Sequence, residues 1–347
     1  MSAKALETHI DWQAKDVADP SVWTVTLTEA DQRELDAALT HAKRRSNDLL
    51  EIGREDFPLD RLAGKLARIE AELIDGRGFV RIGKLDTGRY GDDDLTLLYW
   101  GMGLHLGDPW PQNKHGHVMG DVTDQGKKSG DPTARGNELG LIALDYHTDG
   151  SDLVGLMCLR TAKSGGLSCV ANAVAIYNTL VRTRPDLAEA LYRPFPYDAR
   201  GEQAPGAPPY YSFPVFTEHR GRVFIRFIPK YIKASQRHPQ APRLSPLEIE
   251  AIDTMSDMAN EPRFNVYMDL QPGEMQFINN YHVLHGRSAY VDDAASGHKR
   301  HLKRLWLATR LLADRPEPFA RRENSHWTKN RSVSKIQPVA AELPAAP

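Results

Sequence analysis

The segment Tyr146-His147-Thr148-Asp149-Gly150 carries the strongest local chemistry in the chain. In an extended backbone, side chains two apart point to the same side, so His147 and Asp149 can reach one metal ion together. With a second imidazole they make the 2-His-1-carboxylate facial triad, which leaves positions on ferrous iron open for a cosubstrate and dioxygen. By itself H-x-D is weak, because a loop histidine beside a turn-forming aspartate reads the same way. His115-Gly116-His117 offers a competing pair, since H-x-H with a downstream histidine suits a zinc-dependent hydrolase. Other patterns fail. The glycines from Gly101 to Gly107 fall at the end of a predicted helix with the wrong spacing for a dinucleotide fingerprint. The stretch from Gly120 to Ser129 misplaces the glycine and lysine of a phosphate-binding loop.

The elements that must position such a site are those of an ordinary globular protein. Of 347 residues, 41% are hydrophobic and 26% charged, which excludes a disordered or fibrous chain. The 44 basic and 46 acidic residues leave a net charge of −2, which argues against a dedicated nucleic-acid binder. Two cysteines, Cys158 and Cys169, are too few for a disulfide scaffold and suit a reducing cytoplasm. No apolar run is long enough for a membrane span, and the N-terminus shows no secretory pattern. The expected partner is a small molecule, without nucleic acid or membrane; self-association is left open.

Residues 1–20 read as a loose leader. Trp23 to Leu27 reads as a strand. Thr28, with acidic Asp31 three residues on, caps a helix to about Leu50. Further helices are expected over 59–74, 92–105, 171–183 and 245–259, and strands over 79–82, 153–159, 266–270, 274–278 and 302–311. Residues 215–227 read as a hairpin turning at Arg220-Gly221. Two glycine- and proline-rich stretches, 109–140 and 194–214, break the pattern and read as inserts, and 313–347 as a peripheral tail. A helical part followed by strands argues against a doubly wound sheet and for an antiparallel β core with flanking helices.

Downstream of the H-x-D lies Gln271-Pro272-Gly273-Glu274, a turn opening a strand, then Phe277-Ile278-Asn279-Asn280-Tyr281-His282-Val283-Leu284-His285-Gly286-Arg287. Arg300-His301-Leu302-Lys303-Arg304-Leu305-Trp306 follows. Together with Ser164-Gly165-Gly166-Leu167-Ser168, and in this order, these segments resemble the TauD/TfdA-like family of Fe(II)- and 2-oxoglutarate-dependent dioxygenases. The resemblance spans roughly residues 76–310. It implies a mainly β, α+β fold with flanking helices: a distorted double-stranded β-helix, or jelly roll, of the clavaminate synthase-like type, as one domain over 21–312. It implies Fe(II) held by His147, Asp149 and His285, with 2-oxoglutarate and O2 as cosubstrates. Arg300 matches the arginine that holds the far carboxylate of 2-oxoglutarate, and Ser168 stands where the family has a threonine hydroxyl on the same group. Arg304 matches a position that reaches substrate in some relatives.

Gln112, Asn113 and Asn280 are the remaining substrate-binding candidates, with Tyr146, Asp152 and Arg287 behind them. His282 matches no ligand position; it cannot share a face with His285 in an extended strand. The implied reaction oxidises, by default hydroxylates, a C–H bond of a small anionic or zwitterionic molecule, with release of succinate and CO2. Retention of a carboxylate at Asp149 argues against halogenation. A zinc hydrolase built on His115 and His117 and a non-catalytic β-helix binding protein are the alternatives. The glycine-rich 109–140 stretch is expected to form a lid over the iron, with Gln112 and Asn113 on its pocket side and Asp121, Asp124, Lys127 and Lys128 facing water.

Overall fold

Two facing antiparallel-rich sheets organise the computed structural model, which describes residues 4–6, 8, 10–83, 85–127, 135–293, 298–319 and 330–334. The central strands of the larger sheet run Phe79–Ile82, Met275–Asn279, Leu153–Arg160, His301–Ala308 and His117–Val122, in that spatial order. The smaller sheet orders Asn265–Met268, Ser168–Asn172, Val283–Arg287 and Leu144–His147. The chain passes back and forth between the sheets as it goes from 144 to 172 and again from 265 to 308. This is the jelly roll that the resemblance implies.

Strand alternation builds three apolar layers. Val154, Phe79, Ile278 and Trp306 of the larger sheet meet Val170, Met268 and Val283 of the smaller one between the sheets. On the outer face of the larger sheet, Leu153, Met157, Phe277, Leu305 and Leu307 pack on helices Glu29–Arg45, Arg61–Asp75 and Asp92–Leu104. Ala171 and Leu284 of the smaller sheet pack outward on helices Ala173–Thr183 and Pro246–Asn260. Each fully buried Leu, Val or Ile contributes about 1.5–3 kcal/mol, so the alternation fixes which face looks inward.

Local chemistry accounts for the helix starts. Thr28 and Asp31 form a capping box, as do Ser245 and Glu248. Asp92, Asp93 and Asp94 crowd the first turn of their helix, where its dipole favours negative charge. Arg220 and Gly221 both take positive φ, at 50° and 76°, giving the tight turn between Phe216–His219 and Arg222–Ile225.

Several expectations are corrected. Residues 4–20 do not hang loose where described: Trp12 and Val17 are buried, and the Asn172 side chain donates to the Ile10 and Trp12 carbonyls. The 109–140 stretch is not one loop, because His117–Val122 is a strand paired to His301–Ala308. Its mixed composition hid that strand. The 194–214 insert is a hairpin, Pro194–Asp198 against Tyr210–Pro214, in which prolines occupy an edge. The helix expected from 171 starts at Ala173, after the strand Ser168–Asn172. Pro185 opens a short helix rather than only ending the previous one. In the tail, Ser332–Val333 adds a parallel edge to His117–Val122.

Candidate active site

His147 ends the strand Leu144–His147 and lies directly across from His285 on Val283–Arg287. Val283 points between the sheets, so His285 and Arg287, at i+2 and i+4, do the same. His282 falls out of phase. It is buried at the preceding turn with Nδ1 against the Asn279 amide, 3.1 Å away, and burial pushes its pKa down to about 4. Asp149 sits on the short loop after His147. Its Oδ1 is 3.8 Å from His147 Nε2 and its Oδ2 3.6 Å from His285 Nε2. All three ligand atoms lie within 4.8 Å of one another. Two imidazole nitrogens and a carboxylate oxygen are the donor set that would hold a ferrous ion.

The surroundings prepare each group for that use. His147 Nδ1 donates to the Asp145 carbonyl at 2.8 Å, which leaves the Nε2 lone pair toward the site. Burial, then neighbouring His285, lowers its pKa to about 4, so it is neutral at physiological pH. Burial opposes the charge of Asp149, but Arg304 and His285 outweigh it and hold the carboxyl well below its usual range. Its Oδ2 accepts from Trp306 Nε1 at 2.9 Å and Arg304 Nη1 at 3.3 Å. The Asp149 loop is clamped from below by Asn280. That amide accepts from Asp149 N–H at 2.7 Å and donates to the carbonyls of Asp149 and Ser151.

A second cluster lies between the sheets. Arg300 precedes the strand His301–Ala308 in phase with Leu302, Arg304 and Trp306. It is buried, its Nη2 donates to the Gly166 carbonyl at 3.0 Å, and its Nη1 is buried without a hydrogen-bond partner. Burial and then Arg287 bring its pKa down to about 10. Gly165 and Gly166 both take positive φ, and a Cβ on Gly166 would stand 2.7 Å from Arg300 Nε. The paired glycines therefore let the backbone approach the guanidinium. Ser168, buried two residues on, is in register with Arg287. An orphaned donor on a buried guanidinium fits a dicarboxylate better than it fits an empty core.

His147 and Asp149 line a cavity of about 540 Å³. Comparison with known proteins identifies its owner. The profile described as "Taurine catabolism dioxygenase TauD, TfdA family" matches residues 40–306. The chain belongs to this family. It is an Fe(II)- and 2-oxoglutarate-dependent dioxygenase, an oxidoreductase that uses O2. It is 32% identical over 299 residues to FR-33289 synthase of Streptomyces rubellomurinus, covering 85% of this chain and 88% of that one. To the enduracididine beta-hydroxylase of Streptomyces hygroscopicus it is 27% identical, over 62% of this chain and 67% of that one. In fold it is similar to an asparagine oxygenase solved with Fe(II), hydroxyasparagine and succinate. The TM-score is 0.62 at 16% identity, over 82% of this chain and 93% of the other.

The remaining candidates of this dioxygenase divide by where they point. Gln112 lines the cavity and brackets Arg304, accepting from its Nε at 2.8 Å and donating to its carbonyl at 2.9 Å. Arg304 lines the cavity as the buried partner of Asp149 rather than as a surface ion pair. Asn113 does not line it; its side chain caps the turn at His115 and His117. Asn280 holds the ligand loop instead of facing the cavity. Tyr146 points outward into the helical layer, and Asp152 binds Arg315, Tyr281 and the Thr309 N–H behind the site. Arg287 lines the cavity and donates to the carbonyls of Leu139 and Ile142, fastening the rim. Among the described residues, no third ligand joins His115 and His117, which removes the zinc reading.

Asp121 does not face water: it is buried against His301 and Lys303. Lys127 pairs with Glu138, and Lys128 lies outside the described residues. His117–Val122 is locked in the sheet, and among the described residues beyond it Arg135, Gly136, Leu139 and Ile142 line the cavity as a rim. Sequence reasoning missed Trp306, Arg226, Tyr211, Tyr231 and the Arg135–Glu202 pair, which joins the two inserts at 2.6 Å. Trp306 was within reach, two residues beyond Arg304 on the same strand face. Arg226 had one signal, a charge inside the apolar run from Val223 to Ile228. Among the described residues no helix is long and apolar enough to cross a membrane.

Proposed function

We infer that this dioxygenase hydroxylates a small anionic or zwitterionic, amino-acid-like molecule, with His147, Asp149 and His285 as its iron ligands and Arg300 and Ser168 as the seat of the distal carboxylate of 2-oxoglutarate. The observation that carries the ligand assignment is the convergence of three ligand atoms within 4.8 Å of one another, at the cavity wall formed by His147 and Asp149. When bound, Fe(II) and 2-oxoglutarate supply the oxidising power: O2 is reduced, the keto acid loses CO2 to become succinate, and a substrate C–H bond becomes C–OH.

The chain's own residues set the conditions. Asp145 fixes the tautomer of His147, and Trp306 and Arg304 keep Asp149 ionised and oriented. Asn280 holds the loop height of Asp149. Arg300 presents its open fork to a carboxylate, a pairing that planar guanidinium geometry favours over an ammonium. The rim from Arg135 to Ile142, fastened by Arg287 and Glu202, keeps water from the oxidising centre. The named relatives support a substrate with amino-acid character, and the basic cavity wall supports an anionic group on it. Free, buried Cys158 and Cys169 fit a cytoplasmic location.

Succinate formation across a panel of amino acids and their N-acyl derivatives, with mass spectrometry of the products, tests the reading. A gain of one oxygen coupled to succinate is the expected result. Stimulation by neutral molecules alone would overturn the substrate class.

A further inference from the structure

The cationic side chains of the cavity differ in what answers their charge. Arg304 faces Asp149, Arg135 faces Glu202, and Arg287 is engaged by two rim carbonyls. Arg226 differs from these three. Among the described residues no carboxylate pairs with it. Its Nη2 donates to the Tyr211 hydroxyl at 3.0 Å, its Nη1 reaches the Asp149 carbonyl at 3.5 Å, and its Nε is buried without a partner.

The position is nevertheless held stiffly. The guanidinium lies 5.2 Å from the Phe213 ring centroid and 5.7 Å from that of Tyr211. Tyr211 stacks on Tyr197 at 5.3 Å with ring planes 11° apart, and Tyr197 donates from its hydroxyl to the Arg226 carbonyl at 2.7 Å. Tyr197 and Tyr211 are register partners in the hairpin of the second insert. The Arg226 N–H donates to the Val215 carbonyl at 2.9 Å. Thus the insert builds a platform whose outcome is one oriented guanidinium at the cavity wall, beside the loop of the iron ligand Asp149.

A largely desolvated cation without a counter-anion is costly unless something in the cavity supplies one. We propose that Arg226 is the specificity-determining residue that binds the anionic group of the substrate, a carboxylate or an oxyanion of phosphorus or sulfur. The site is distinct from Arg300, whose open donor lies with Gly166 and Tyr290 between the sheets. Each terminal nitrogen of Arg226 carries a second N–H, beyond those directed at Tyr211 and the Asp149 carbonyl, for an anion in the cavity. The proposal rests on the anionic-substrate reading and locates that anion.

The test uses the full chain loaded with Fe(II) and 2-oxoglutarate without oxygen. Methylphosphonate, N-acetylglycine and the neutral N-acetylglycinamide are titrated by calorimetry into the parent protein, Arg226→Gln and Tyr211→Phe. The parent is expected to bind each anion at least about ten-fold more tightly than the amide. Arg226→Gln should erase that preference, and Tyr211→Phe, which keeps the ring and removes only one hydroxyl, should reduce it. A parent without anion preference overturns both this proposal and the anionic-substrate reading. A preference that survives undiminished in Arg226→Gln overturns the proposal alone.

Discussion

Replacing Asn280 with Ala tests whether the iron site is built from beneath. The side chain is buried, and it forms three hydrogen bonds to the loop that carries Asp149. Each is worth about 1 kcal/mol net, and truncation leaves one N–H and two carbonyls to find new partners. The ordered loop should lose about 3 kcal/mol. If that loss falls on metal binding, Fe(II) affinity drops about 100-fold, at 1.4 kcal/mol per factor of ten. Asn280→Asp keeps the size and the acceptor for the Asp149 N–H, but turns an oxygen toward two carbonyl oxygens, so its loss should be at least as large. The assay is an anaerobic Fe(II) titration in the presence of 2-oxoglutarate, followed by the visible charge-transfer absorption, beside a thermal unfolding curve. Iron affinity within about threefold of the parent, under about 1 kcal/mol, in a folded Asn280→Ala protein would show that the loop holds its shape without the clamp.

His285→Ala should abolish iron binding and turnover while His282→Ala retains both; the reverse pattern, read by the same titration, would show the wrong histidine assigned. Arg300→Ala should weaken 2-oxoglutarate binding by about 2–5 kcal/mol, since truncation leaves the cosubstrate carboxylate without its fork; unchanged affinity by calorimetry would refute the role. Burial pushes the His282 pKa from 6.5 down to about 4, so the unfolded chain binds the proton more readily than the folded one. The stabilising effect is complete above about pH 6.5 and is lost as the pH falls toward 4, by up to about 3 kcal/mol. Denaturant unfolding of the metal-free protein across that window should show the slope, and His282→Gln should flatten it; an equal slope in both proteins would place the titration elsewhere.

The convergence of the three proposed ligands was legible because period-two alternation acts over a few residues. His147 and Asp149 are two residues apart in the chain, and the choice between His282 and His285 follows from phase with Val283 once the strand is known. Gly165 and Gly166 were legible as part of a pattern, and the structure supplies the reason in the close approach of Arg300. Asn113 and Asn280, substrate-binding candidates in the sequence, do not line the cavity, for one shared cause. An Asn beside a site faces the ligand or bonds the backbone according to local turns, and sequence carries little of that. The strand His117–Val122 was missed because its alternation is interrupted by Gly120 and Asp121, whose burial depends on His301 and Lys303 some 180 positions away. The substrate wall was illegible altogether. Tyr197, Tyr211 and Arg226 meet only after the insert folds into its hairpin.

That last failure follows from how the site divides its work. Arg300, Arg304 and Trp306 project from one strand edge, in phase, and His285 faces them from the opposing sheet. The proposed cosubstrate anchor and the supports of the proposed ligands are therefore fixed by a ladder of backbone hydrogen bonds and by the packed layer between the sheets. Tyr211 and the Arg135–Glu202 pair sit on inserts that leave those sheets, and Arg226 is braced by Tyr197 and Tyr211 of one of them. A change of length or sequence in an insert can move the anion-binding wall without altering the spacing of His147, Asp149 and His285. The same division predicts where substrate preference can be redirected: in the hairpin from 194 to 214 and the rim from 135 to 142, with iron and 2-oxoglutarate binding left to the sheets.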